Sequence, residues 1–133
     1  MNGSVILNNG VARNKTINIA GMLVVNGNFT TNASGMTLNV TDPGDGKAGI
    51  FVQSNISNNS GRWSINGVVF ASGNVTCTNS DLNTINGGLV AGGSISINVG
   101  MPMTITYNPA RVTSSFGAGS QISVEVQHWE EEY

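Results

Sequence analysis

The chain contains an internal repeat whose second copy begins 20 residues after the first. Residues 65–76 read Ile-Asn-Gly-Val-Val-Phe-Ala-Ser-Gly-Asn-Val-Thr, and residues 85–96 read Ile-Asn-Gly-Gly-Leu-Val-Ala-Gly-Gly-Ser-Ile-Ser. Most apolar positions and the Asn-Gly corner coincide in the two copies. A period of this length, built from short apolar segments and glycine turns, is typical of a β-solenoid, in which each turn buries its apolar face by stacking on its neighbours.

The same spacing extends beyond the repeat as two ladders of apolar residues. The first ladder contains Ile19, Val40, Ile65, Ile85 and Ile105. The second contains Phe29, Ile56, Val75 and Ile95. In each ladder the longest step spans residues 42–47, Asp-Pro-Gly-Asp-Gly-Lys. This segment is therefore predicted to be a loop of roughly five to seven inserted residues, which a solenoid accepts at a corner without disturbing its stack.

We predict one all-β domain over residues 1–133. Residues 4–110 are expected to form a single-stranded parallel β-helix, or β-solenoid, right-handed and with about 20 residues per turn. Residues 122–128 alternate as one further strand and are followed by an acidic tail. Because an open last turn exposes unpaired backbone, we expect residues 111–133 to cap it or to run as a strand along the side of the rod. No cap is evident at the other end, near Val5.

Charge and composition exclude several classes of function. Charged residues make up 9% of the chain, the formal net charge is −2, and the five basic residues are scattered, so no basic stripe is present to bind nucleic acid. No apolar run approaches the roughly 20 residues needed to cross a bilayer, so we expect no membrane contact by this segment. The single cysteine, Cys77, excludes an intrachain disulfide and is expected to be a small buried core residue.

The acidic residues offer little support for catalysis. No two ladder-equivalent positions are acidic, whereas a glycosidase needs two carboxyl groups facing each other across the scissile bond. We therefore predict no catalytic residues, no cofactor and no enzyme activity. Asp42 and Asp45 lie close together in the loop and are weak candidates for calcium ligands, although the fixed spacing and closing glutamate of a calcium loop are missing and a plain surface turn is preferred.

Two further groups of residues are candidates for binding or stacking. His128, Trp129 and Tyr133 form an aromatic cluster on the terminal segment, which is expected to dock the cap or to bind a protein partner or a sugar. Asn28, Asn55 and Asn74 each begin an Asn-x-Ser/Thr triplet and also occupy equivalent positions in successive turns. We interpret them as a stacked polar column with Ser94 as its next member, in preference to glycosylation sites.

The repeats of residues 65–97, the Ile-Thr-Tyr-Asn-Pro of residues 105–109 and the Val-Gln-His-Trp-Glu-Glu of residues 126–131 together resemble the C-terminal β-helical region of PilX-type pilus-assembly proteins. These are minor components associated with bacterial type IV pili. The resemblance implies a structural or adhesive module at the cell surface, with other proteins of a pilus-like assembly as its partners.

The repeat style is also similar to that of bactofilin-type polymer-forming proteins. That similarity implies a different function, a cytoplasmic scaffold that self-associates through the ends of its solenoid. A carbohydrate-binding or carbohydrate-active β-helix is a third and less favoured hypothesis.

Overall fold

The computed structural model describes residues 2–79, 81–98, 100 and 103–116. Within them the strands are β1 (Val5–Asn8), β2 (Thr16–Ala20), β3 (Met22–Val25), β4 (Phe29–Thr41), β5 (Gly49–Val52), β6 (Ile56–Ala71), β7 (Val75–Cys77), β8 (Asn83–Ala91), β9 (Ile95–Ile97) and β10 (Met103–Tyr107). Two short helices, α1 (Asn9–Ala12) and α2 (Pro109–Phe116), complete the described elements.

The paired strands all run parallel and stack as a β-solenoid of about five turns with about 20 residues per turn, which confirms the predicted fold class. Three segments per turn define three faces. Face 1 consists of β1, residues 29–32, residues 56–58, β7 and β9. Face 2 consists of β2, residues 37–41, 62–66 and 83–87, and β10. Face 3 consists of β3, β5, residues 68–71 and residues 88–91.

Both predicted ladders are confirmed by the strand register. On face 2 the paired residues are Ile19, Val40, Ile65, Ile85 and Ile105. On face 1 they are Phe29, Ile56, Val75 and Ile95, and the structure adds Val5 below Phe29. Since alternate residues of a strand point to opposite sides, each ladder sends one apolar side chain per turn into the same interior.

Face 3 carries a third ladder that the sequence did not reveal. Its members are Leu23, Ile50, Val69 and Leu89, which pair in register and pack into the core. The face 3 segments are apolar on both sides, so they lack the alternation that distinguishes an inward from an outward residue. The sequence pattern therefore does not show which residues of these segments point inward.

The corner between faces 2 and 3 holds the inserted loop. Val40 pairs with Ile65, and Gly49 pairs with Val68, so the chain uses six more residues at this corner of β4–β5 than within β6. The prediction of five to seven inserted residues is confirmed. Two turns later the corner is tight, because Gly87 has φ of +156° and a Cβ atom there would clash with the Gly67 carbonyl. This contact explains the repeated Asn-Gly pair.

The ends of the rod differ from its middle. In the first turn α1 lies between β1 and β2 and buries Ala12. In the last turn β10 is followed by α2, so residues 111–116 of the segment predicted to cap the rod are helical. The strand predicted over residues 122–128, together with His128, Trp129 and Tyr133, lies outside the described residues.

Candidate functional site

The inserted loop and α2 meet at the same corner of the rod. The loop leaves face 2 after Thr41 and enters face 3 at Gly49, in the second turn. Helix α2 follows β10, at the corresponding corner of the last turn, and packs against β6 and β8. The two irregular segments are thus brought together along the rod, although 61 or more residues separate them in the sequence.

Helix α2 is positioned by its own first residues. The Asn108 side-chain oxygen accepts a hydrogen bond from the Ala110 main-chain N–H at 3.2 Å, and Pro109 occupies the first helical position, where its missing N–H costs nothing. Val112 is 6% exposed, with its Cγ2 atom against Gly88. This contact fixes the helix on face 3 and directs Arg111 toward the loop.

Asp42 organises the loop. Its Oδ1 atom accepts hydrogen bonds from the main-chain N–H groups of Gly44 at 2.8 Å and Gly46 at 2.9 Å. Its Oδ2 atom lies 3.5 Å from an amino group of Arg111, and both side chains are 25% exposed. Asp45 accepts separately from the Lys47 N–H at 2.9 Å. The two carboxylates therefore close local turns of the loop.

The environment of Asp42 stabilises its ionised form. The hydrogen bond from the Gly44 N–H is the main cause that lowers the pKa of this carboxyl from 3.8, followed by the bond from the Gly46 N–H. Partial desolvation opposes them, and the nearby positive charge of Arg111 lowers the pKa further. Asp42 is consequently ionised at neutral pH and holds both the loop and Arg111.

A shallow cleft of about 230 Å³ lies between the loop and α2, lined by Asp42, Gly46, Asn108, Ala110 and Arg111. It is smaller than the roughly 300–1,000 Å³ of ordinary small-molecule sites. Among the described residues no group of three or more His, Cys, Asp or Glu side chains could hold a metal ion. Arg111 is the cation placed beside Asp42 Oδ2, and calcium binding by Asp42 and Asp45 stays a prediction.

The predicted polar column is present at the corner between faces 3 and 1. The Oδ1 atom of Asn28 accepts from the Asn55 N–H at 3.0 Å, Asn55 Oδ1 accepts from the Asn74 N–H at 2.8 Å, and Asn74 Oδ1 accepts from the Ser94 N–H at 2.9 Å. Below them Ser4 accepts from the Asn28 N–H. Each amide oxygen thus joins one turn to the next.

A buried polar network at the corner between faces 1 and 2 was not predicted. Thr31 donates to Asn58 Oδ1 at 2.9 Å and accepts from Trp63 Nε1 at 3.2 Å. Asn58 Nδ2 donates to Asn83 Oδ1, which also accepts from the Trp63 main-chain N–H. Asn83 Nδ2 donates to Asn79 Oδ1 at 2.7 Å. The network links three turns through side chains inside the rod.

Cys77 is buried, as predicted, and lies beside this network. Burial raises the pKa of its thiol to about 11, while a hydrogen bond with Asn58 acts weakly in the opposite direction. The thiol is therefore protonated at neutral pH and is a poor nucleophile.

Arg111 and Val112 belong to the candidate site and were not predicted from the sequence. The signal that could have identified them is Asn108–Pro109, a side-chain cap followed by a proline at the first helical position. The partner-binding candidates His128, Trp129 and Tyr133 lie outside the described residues and stay predictions.

Comparison of the chain with protein-family models, with curated proteins and with solved structures finds no match. Within the described part of the chain, neither helix has the length and apolar character that a membrane-spanning helix requires.

Proposed function

We propose that this β-solenoid is a non-enzymatic structural module of a pilus-like assembly at the bacterial cell surface. In that role the rod acts as a stiff element that other proteins of the assembly contact, with adhesion to a surface or a glycan as a further use of the exposed faces. The resemblance to PilX-type proteins supports the assignment to pili. The hydrogen bonds that its polar side chains form within the rod support a structural role.

The observation that carries the proposal is the polar character of the outward column on face 2. Its members are Asn18, Asn39, Ser64, Thr84 and Thr104, which pair from turn to turn. Asn39 donates to Asn18 Oδ1 at 3.0 Å, so two neighbouring side chains of the column bond to each other along the rod. A glycosidase would instead need two carboxyl groups that face each other across the scissile bond.

The described aspartates also serve the fold. Asp42 and Asp45 close the inserted loop, and Asp81 accepts a hydrogen bond from the Gly61 N–H of the preceding turn at 2.9 Å. The lowered pKa of Asp42 keeps this carboxylate charged, which suits a structural anchor better than a proton donor. This pattern favours a module whose polar groups stabilise the rod.

The location can be tested on intact cells with antibodies raised against the purified chain. The proposal predicts that immunogold labelling decorates surface filaments without permeabilisation, and that deletion of the gene abolishes the label. An antibody against a cytoplasmic protein provides the control for cell integrity. Label that appears only after permeabilisation would contradict a surface location and favour a cytoplasmic scaffold.

A second candidate function, a self-associating scaffold, is favoured by the ends of the rod. Among the described residues, β1 and β2 pair on one side only, as do β9 and β10 at the other end. Inward residues of both end turns, including Leu7 and Ile105, are only partly buried. Edge strands with accessible backbone are the surfaces through which β proteins add further strands.

Charge substitutions on face 1 separate this candidate from the first. Ile6 and Ser96 occupy the two ends of one outward column, so a head-to-tail stack would place them next to each other. Ile6→Lys combined with Ser96→Lys should then prevent association, and Ile6→Lys with Ser96→Glu should restore it. Ser57→Lys, in the middle of the same column, is the matched control. A wild-type chain that sediments as a monomer at all concentrations would contradict this candidate.

A further inference from the structure

We draw no further inference here: the strongest candidate, the cleft between the inserted loop and α2, belongs to the site already described, and nothing among the described residues that line it shows which ligand it would take.

Discussion

The side chain of Asn55 forms a bond to the backbone of Asn74 in the next turn, with 2.8 Å between Asn55 Oδ1 and the Asn74 main-chain nitrogen. The same bond recurs from Asn28 to Asn55 and from Asn74 to Ser94. Gly73 makes the approach possible, because a Cβ atom at that position would clash with Asn55 Oδ1. The Gly-Asn pair at this corner is therefore a unit, in which the glycine makes space for the amide oxygen that holds the next turn.

Loss of one of these side-chain amide oxygens should destabilise the rod measurably. Asn55→Ala removes the acceptor of the Asn74 N–H and is expected to lower the free energy of unfolding by about 1 kcal/mol. Asn55→Asp keeps the acceptor and is expected to stay closer to the wild type. Urea unfolding followed by circular dichroism measures both variants. Equal loss in the alanine and aspartate variants would show that the oxygen is not the stabilising group.

Substitutions in the buried network around Asn83 should lower the free energy of unfolding more than substitutions in the exposed column of Asn28, Asn55 and Asn74. Asn83 accepts from Asn58 and from the Trp63 N–H, and it donates to Asn79 and to the Asp81 carbonyl. Asn83→Ala leaves several of these groups buried without partners, so we expect a loss of about 2–4 kcal/mol in the free energy of unfolding.

Asn86→Ala is the matched control for this network, because Asn86 lies on the same strand and is exposed. It should change the free energy of unfolding by less than about 0.5 kcal/mol. A similar effect of the two substitutions would indicate that Asn83 contributes no more than its strand position. Tryptophan fluorescence in a Trp129→Phe background, where Trp63 is the one remaining tryptophan, offers a second measurement, since its indole nitrogen donates to Thr31 within the network.

The pH dependence of the inserted loop follows from the lowered pKa of Asp42. Below its ordinary value of 3.8 the unfolded chain takes up this proton before the folded chain does. The stabilisation by ionised Asp42 is thus fully present above that value and is lost as the pH falls through the lowered pKa. Asp42→Asn should flatten this part of the stability curve, measured as the Tm between pH 2 and pH 6.

Arg111→Gln separates the effect of the Arg111 charge on the pKa of Asp42 from the effect of the main-chain N–H donors. The Gly44 and Gly46 N–H donors remain in this variant and are the larger causes, so the pKa of Asp42 should rise only slightly and stay below 3.8. Carbon-detected NMR titration of the carboxyl group reports this value directly. A return of the pKa to 3.8 would assign the shift to Arg111 and contradict the loop geometry.

The direction of each side chain could be predicted in strands where apolar and polar residues alternate. It could not be predicted in strands that are apolar on both sides. Ile65 and Ile85 are flanked by polar residues, so their inward direction and their register could be inferred. On face 3, Val69 and Phe70 are both apolar, and only the packed structure shows that Val69 enters the core while Phe70 points outward. Local patterning specifies orientation only when one side of the strand is polar.

The contacts around the candidate site depend on distances that a sequence pattern does not contain. Asp42 was predicted from the sequence of its loop, yet its partner Arg111 comes from the helix that follows β10. The buried network was missed for a similar reason, since Asn58 and Asn83 read as ordinary turn residues until stacking places them inside the rod. Polar residues in a repeat protein acquire their role from the neighbouring turns.

Cys77 should be almost unreactive while the chain is folded. Burial raises the pKa of its thiol from 9.0 to about 11, so at pH 8 the thiolate fraction is roughly 100-fold lower than in an exposed thiol. Reaction with a thiol-specific disulfide reagent at pH 8 should therefore be at least about 100-fold slower in buffer than in denaturant. Ser57→Cys in a Cys77→Ala background supplies a partly exposed thiol as control and should react rapidly. Fast modification of Cys77 in the folded chain would contradict its burial between Asn58 and the next turn.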